Sequence, residues 1–299
     1  LDTSVLKGKL LINLDSEEEG RILVSSAGGI KAIMSIELER EKAPEDLIAL
    51  RILIGGLKGG HSGAEIDKGR GNANKLMGRL LDGLRKEIHF CIADVGGGLM
   101  SNAIPRESET VILIDEAERE KAEKKVMEWE KIFKNELKTA DPELFIKIEE
   151  TDKKTDMVYS KETAEKVISS IVLTPNGIQS MSMDIKGLVE SSTNLGVITA
   201  EEKRICFVSE IRSSVSSLKR SIYNQILKLA DCVGGKVEVE SDYPEWEYNP
   251  DSKLRPLFEK VFKDKFGKEP EVVAIHAGLE CGVLMSKMKG LDAVSIGPD

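Results

Sequence analysis

Apolar and polar residues alternate along this chain in two rhythms, and the rhythm changes twice. KGKLLINLD (7–15) is an apolar run bounded by charge and by the turn-like DSEEE segment, which predicts a short buried strand. RILVSSAGGIKAIMSIELERE (21–41) passes into an alternating strand through Gly28 and Gly29, a pair that reads as a hinge. LIALRILIGGLKGGHSG (47–63) then reads as a strand and a glycine-rich loop, and NANKLMGRLLDGLRKE (72–87) has helical spacing. Two strand candidates follow, IHFCIADVGGG (88–98) and AIPRESETVILID (103–115). His89 alternates into the first of them as a structural residue. EAEREKAEKKVMEWEKIFKNELKTA (116–140) predicts a long charged helix with Val126, Trp129, Ile132 and Phe133 on one face. LFIKIEET (144–151) closes the series as a strand. The order β-α-β-β-α-β is that of a ferredoxin-like unit.

A second unit begins near Ser160, where SKETAEKVISSIVLT (160–174) reads as a helix with a Ser160 cap. The strands GIQSMSMDIKGLV (177–189) and LGVITAEEKRICFVSEI (195–211), the helix SSLKRSIYNQILKLADCVG (216–234) and the strand KVEVESDY (236–243) follow. This α-β-β-α-β order nearly repeats the first unit, and each half places an asparagine, Asn102 or Asn194, ahead of a hairpin strand. Beyond the proline-bounded PEWEYNP (244–250) the pattern changes again. SKLRPLFEKVFKDKFG (252–267) is an amphipathic helix, EPEVVAIH (269–276) a buried strand, GLECGVLMSKMKG (278–290) a helix and LDAVSIG (291–297) a strand. That is an α/β layer of parallel character. The predicted fold is therefore an α/β domain in two pieces, 1–28 and 243–299, interrupted by a lid of two ferredoxin-like units over 29–242.

Composition narrows the function. The 299 residues are 32% charged and 40% hydrophobic, as in a globular protein. The net charge of -9 and 4% aromatic content argue against nucleic acid as a partner. No apolar stretch approaches the roughly 20 residues of a membrane span and no signal peptide is apparent, so no membrane partner and a cytosolic location are expected. Cys91, Cys206, Cys232 and Cys281 are scattered, form no CxxC pair and indicate neither a disulfide framework nor a thiolate zinc site.

Several residues carry candidate chemistry, each with a plain alternative. GGLKGGHSG (55–63) surrounds His61 with glycines, which allow close backbone approach to a ligand, or simply form a flexible loop. Without GK[ST] or a GxGxxG after a first strand, it is no phosphate cradle. Asp15 ends a strand, yet Asp, Ser and a glutamate run also suit a helix cap and first turn. Glu280 in AIHAGLECG (274–282) can face an amino group or a metal, or be a first-turn acid. Arg212 ends a strand, where its guanidinium can grip a carboxylate bidentately or stand exposed. Asn102 and Asn194 either bind or open turns.

Taken together, INLDSEEEG, GLKGGHSGAEID, GRGNANKL, NAIPRE, AIHAGLECG and SIGP resemble the aminoacyl-histidine dipeptidases, or cytosolic non-specific dipeptidases, of the zinc-dependent aminoacylase and carboxypeptidase superfamily. The resemblance runs in order over essentially the whole chain. It implies an α/β catalytic domain holding two zinc ions, interrupted by a lid, and hydrolysis of Xaa-His and other dipeptides. By resemblance Asp15 ligates one zinc, with the glutamates after it as scaffold. His61 steadies the developing oxyanion, Asn102 and Arg212 hold the substrate with Arg212 on its C-terminal carboxylate, Asn194 is a further substrate candidate, and Gly278 and Glu280 line the pocket. The family's HxD motif, bridging aspartate and paired glutamates would lie upstream of INLDSEEEG, and its last zinc histidine after SIGP. The chain thus reads as an internal fragment that binds zinc poorly and lacks activity alone. A lid of this kind often mediates a homodimer, or, when doubled, mimics one within a single chain. The competing readings are a non-catalytic binding or dimerisation module and a ligand-binding domain of an amino-acid sensor.

Overall fold

The computed structural model describes residues 2–16, 18–151 and 156–297. The larger sheet has its strands in the order Phe145–Glu150, Leu47–Gly55, Ser108–Asp115, Cys91–Gly97, Val189–Ala200, Arg204–Ser213, Gly28–Glu37, Lys236–Tyr243. Gly177–Met181 also pairs with Val189–Ala200. All these neighbours are antiparallel. Numbered along the chain, the strands of the first half stand fourth, first, third, second. The second half repeats that order in mirror sequence, but takes its first strand, Gly28–Glu37, from ahead of the entire first half. The α-β-β-α-β pattern beginning at Ser160 is completed in this way by a strand far upstream. The halves meet where Ile198 stands opposite Gly97.

Gly28 and Gly29 are accordingly not a hinge. They open the strand Gly28–Glu37, with Gly29 opposite both Arg212 and Tyr243. A Cβ on Gly29 would stand 2.5 Å from the Tyr243 ring, so a missing side chain, and not flexibility, is what this position supplies.

Helices Ala73–Leu84, Arg119–Glu136, Lys161–Leu173 and Ser216–Val233 supply the apolar stripes that bury the sheet's inner residues, among them Ile52, Ile54, Ile112, Met34 and Phe207. Side-chain caps fix two starts: Asn72 accepts from the Lys75 N–H and Ser160 from the Thr163 N–H. The second helix, Arg119–Glu136, is preceded by a 3₁₀ turn over Glu116–Glu118, so it begins later than periodicity alone predicts. Its buried stripe is Ala122, Val126 and Phe133, with Trp129 partly buried, whereas Ile132 is 43% exposed. Ile132 lies adjacent to Phe133 in sequence and falls a full 100° around the helix from it. His89 is exposed and precedes the strand Cys91–Gly97 rather than lying in it.

The smaller sheet runs Leu10–Asn13, Asp292–Ser295, Arg21–Ser26, Glu271–Ile275. Its outer pairs are parallel and its central pair antiparallel, a mixed sheet whose core is Ile22, Val24, Leu254 and Val294. Helices Leu254–Phe266 and Glu280–Lys287 belong to this part. Among the described residues, 14–20 contain no helix; Glu18 pairs instead with Arg21. Only Ala27 separates Arg21–Ser26 from the larger sheet, and Trp246 bonds back to Ser26 on the return, with both N–H···O distances 3.0 Å.

Candidate functional site

His61 sits in a two-residue strand, Gly60–His61, paired with Ala103–Ile104. Its own N–H donates to Glu65 Oε2 at 2.8 Å. Its Nδ1 accepts from the N–H groups of Gly63 at 3.2 Å and Ala64 at 3.0 Å. A neutral imidazole that accepts at Nδ1 carries its proton on Nε2. Partial burial, and then the positive charge of Arg212, push the His61 pKa down, against an opposing pull from Glu65. The side chain is thereby kept as a neutral Nε2–H donor. Asn102 is held next to it, because the Ser62 N–H donates to the Asn102 carbonyl at 2.9 Å.

Arg212 lies in the central strand Arg204–Ser213, most of whose residues are buried, and is itself 6% exposed. Its Nη1 donates to the Tyr243 hydroxyl at 2.8 Å, and Nη2 stands 3.5 Å from Glu210 Oε1. Its Nε is buried, with no hydrogen-bond partner among the described residues. Burial raises the Glu210 pKa, while Arg212 pulls it down.

Gly63 is where these groups converge. A Cβ there would lie 3.0 Å from His61 Cε1 and 3.2 Å from Arg212 Nε, and would collide with the His276 carbonyl. His276, 7% exposed, shares a 2.7 Å hydrogen bond between its Nε2 and Ser192 Oγ. Burial, then the charges of Arg212 and His61, push its pKa down to about 4. Gly278 completes the group, since a Cβ on it would stand 2.9 Å from Tyr243 Cε2. Beside His61 and Asn102 opens a cavity of about 970 Å³, lined also by Arg51, Met100, Arg106 and Ile198.

The structure thus brings together His61, Asn102, Arg212 and Gly278. The other candidates stand elsewhere. Asn194 lies inside the strand Val189–Ala200 rather than ahead of it, and is 1% exposed. Its Oδ1 accepts from Asn72 Nδ2 at 3.1 Å and its Nδ2 donates to the carbonyls of Ser101 and Ala103, both at 2.9 Å. With donors and acceptor engaged, this side chain braces the loop carrying Asn102 and does not face a ligand, which corrects the expectation of a substrate contact. Glu280 is exposed at the first position of Glu280–Lys287, without a hydrogen bond or ion pair among the described residues. Asp15 is exposed beyond the end of Leu10–Asn13. The strand Asp292–Ser295, parallel to Leu10–Asn13, runs antiparallel to Arg21–Ser26, to which Glu271–Ile275 is parallel. Asp15 and His276 therefore follow strand ends at opposite ends of the smaller sheet.

Among the described residues, no three His, Cys, Asp or Glu side chains stand close enough together to hold a metal ion. Asp15 alone does not make a zinc site, which takes three or four protein ligands. The chain's own residues thus do not fit the two zincs implied by the resemblance.

Tyr243, Glu210, Ser192 and His276 are site neighbours that sequence reasoning assigned no role. One signal for Glu210 was available: a carboxylate inside RICFVSEIRS, a run too apolar for a solvated strand. Tyr243 and Ser192 carry no local signal at all, because only the sheet register brings them to Arg212 and His276.

Residues 54–141 match the M20-type peptidase dimerisation domain family. Over 295 residues the chain is 36% identical to the cytosol non-specific dipeptidase of Escherichia coli (strain K12), covering 98% of this chain and 60% of that protein. The crystal structure of the aminoacylhistidine dipeptidase from Vibrio alginolyticus superposes with a TM-score of 0.96 at 34% identity, covering 100% of this chain and 61% of that one. The chain spans about three-fifths of the length of these relatives. Among the described residues no helix is long and apolar enough to cross a membrane. The resemblance drawn from the motifs is borne out: this mixed α/β chain has the fold of that aminoacylhistidine dipeptidase, and its residues 54–141 match a peptidase dimerisation domain.

Proposed function

We propose that this chain is the larger part of a zinc-dependent dipeptidase that hydrolyses Xaa-His and other dipeptides in the cytosol. Residues 29–242 form its lid, and 1–28 with 243–299 contribute to its catalytic domain. The observation that carries the reading is the pairing, around Gly63, of a neutral His61 presenting Nε2–H with a buried Arg212 whose Nε has no partner among the described residues. A dipeptide has two features such a pair suits: a peptide carbonyl whose oxygen becomes anionic during hydrolysis, and a free carboxylate nearby.

In this reading Arg212 binds the C-terminal carboxylate, Tyr243 and Glu210 hold the guanidinium in place, and Asn102 binds the substrate backbone. His61 donates from Nε2 to the oxygen of the scissile carbonyl as it gains charge, a preorganised donor of the kind that contributes several kcal/mol in related sites. Gly278 and Glu280 border the pocket. Asp15 supplies one carboxylate to a metal centre whose remaining ligands come from outside this chain, so residues 1–299 alone do not hydrolyse dipeptides. The match to a dimerisation domain supports a homodimer formed through the lid, and a monomeric mass by light scattering overturns that part.

The test is an assay of Xaa-His hydrolysis with added Zn²⁺. A longer polypeptide that includes the two-fifths this chain does not span hydrolyses the dipeptide; its His61→Gln variant loses kcat and its Arg212→Lys variant raises KM. Turnover by residues 1–299 alone, or an unchanged kcat in His61→Gln, refutes the assignment.

A further inference from the structure

The loop that presents His61 is closed at both ends by one buried carboxylate. Asp141, 1% exposed, lies just beyond the helix Arg119–Glu136. Its Oδ1 accepts from the Lys58 N–H at 2.8 Å and its Oδ2 from the Gly71 N–H at 2.7 Å. The turn bearing it is itself fixed, since the Asp141 N–H donates to Leu137 O at 2.8 Å and its carbonyl accepts from the Leu144 N–H at 3.1 Å. Among the described residues no cation pairs with this carboxylate. A buried carboxylate is costly unless it accepts strong hydrogen bonds, and here the donors are the amides on either side of His61.

Within the loop the support is lighter and more exposed. Glu65 holds the His61 N–H and pairs with Arg70, at 37% and 21% side-chain exposure. The Gly63 and Ala64 amides reach Nδ1 only while the chain between Lys58 and Gly71 keeps its path.

We propose that Asp141 is a positioning residue for His61: by pinning Lys58 and Gly71 it holds the imidazole in its Nε2–H form and next to Arg212. The proposal rests on reading His61 as a donor. It is measured on the imidazole rather than on turnover, so its failure and the failure of that reading are distinguishable.

The chain has three histidines, His61, His89 and His276, which makes their side-chain nitrogens separable by two-dimensional ¹H–¹⁵N NMR. Asp141→Asn keeps the volume but turns one acceptor into a donor facing an amide; Asp141→Ala removes both acceptors. Expected in each are a His61 pKa shifted up, ¹⁵N shifts that move away from the pure Nε2–H pattern, and exchange of the Gly71 amide about tenfold faster. His89 and His276 stay unchanged. Val167→Ala, a core truncation in the other half, serves as a stability-matched control that leaves His61 alone. If Asp141→Ala does not fold, Asp141→Asn decides. An unchanged His61 titration and tautomer in Asp141→Asn overturns the proposal, as does an equal shift in Val167→Ala.

Discussion

Lowering the pH from about 7 to about 4.5 will cost this protein about 2 to 3 kcal/mol through His276 alone. The imidazole is buried against Ser192, Arg212 and His61, and its pKa is pushed down to about 4, while in the unfolded chain it returns to about 6.5. Between those values the unfolded state binds a proton that the folded state refuses, so stability falls as the pH drops through the window and levels off below the folded pKa. At about pH 4.5 the unfolded histidine is almost fully protonated and the folded one only about a quarter so, which leaves roughly two pH units of unmatched binding at ~1.4 kcal/mol each. The assay is urea unfolding of the chain and of His276→Gln at both pH values. The variant's stability at neutral pH need not match, because the quantity read is the difference in acid sensitivity, from which the carboxylates common to both proteins cancel. The wild-type chain should lose about 2 to 3 kcal/mol more than the variant between the two conditions. Equal losses would refute the argument that burial, with the Arg212 guanidinium nearby, keeps His276 neutral.

Lys75 Nζ donates to the carbonyls of Ile171, Val172 and Thr174 at 2.6 to 2.8 Å, clamping the end of the helix Lys161–Leu173 to the helix Ala73–Leu84. Lys75→Met will lower stability by about 2 kcal/mol in denaturant unfolding. Asn194→Ala will cost about 2 to 3 kcal/mol, because it leaves the carbonyls of Ser101 and Ala103 without their buried donor, and hydrogen exchange will quicken across residues 98–104. Ser160→Ala, which removes the cap on the Thr163 N–H, will cost about 1 kcal/mol. Gly29→Val places methyl groups on the Tyr243 ring; its melting temperature will fall and the Tyr243 fluorescence environment will change as the ring is displaced.

Local chemistry made much of the fold legible. The strands of the first half, all four large-sheet helices and the Ser160 cap follow from periodicity and capping residues, because those signals act within a few residues of one another. The helix boundary near Glu116 and the exposure of Ile132 were missed for reasons equally local: a 3₁₀ turn takes the first residues, and Ile132 lies at the edge of the stripe centred on Ala122, Val126 and Phe133, on its solvent side. The strand assignment of Gly28 and Gly29 lay beyond such reasoning. Two glycines read as a hinge until the Tyr243 ring is seen packed on Gly29 and the Pro244–Glu245 segment on Gly28, each where a side chain would otherwise stand.

The candidate site divides in the same way. The motifs around His61 and the cationic end of RICFVSEIRS marked His61, Asn102 and Arg212, since a glycine-framed histidine and a charged residue in an apolar strand are visible in one dimension. The sequence by itself determined which side chains carry chemistry and which stretches form helices and strands, through spacing and side-chain type. Only the tertiary structure decided that Gly28–Glu37 completes the second half, that Asn194 braces a loop, that His276 is buried beside Arg212, and that Asp15 stands away from them. Those outcomes are set by sheet register between segments far apart in the chain, and register depends on how whole apolar faces fit together, a property no short stretch of sequence contains.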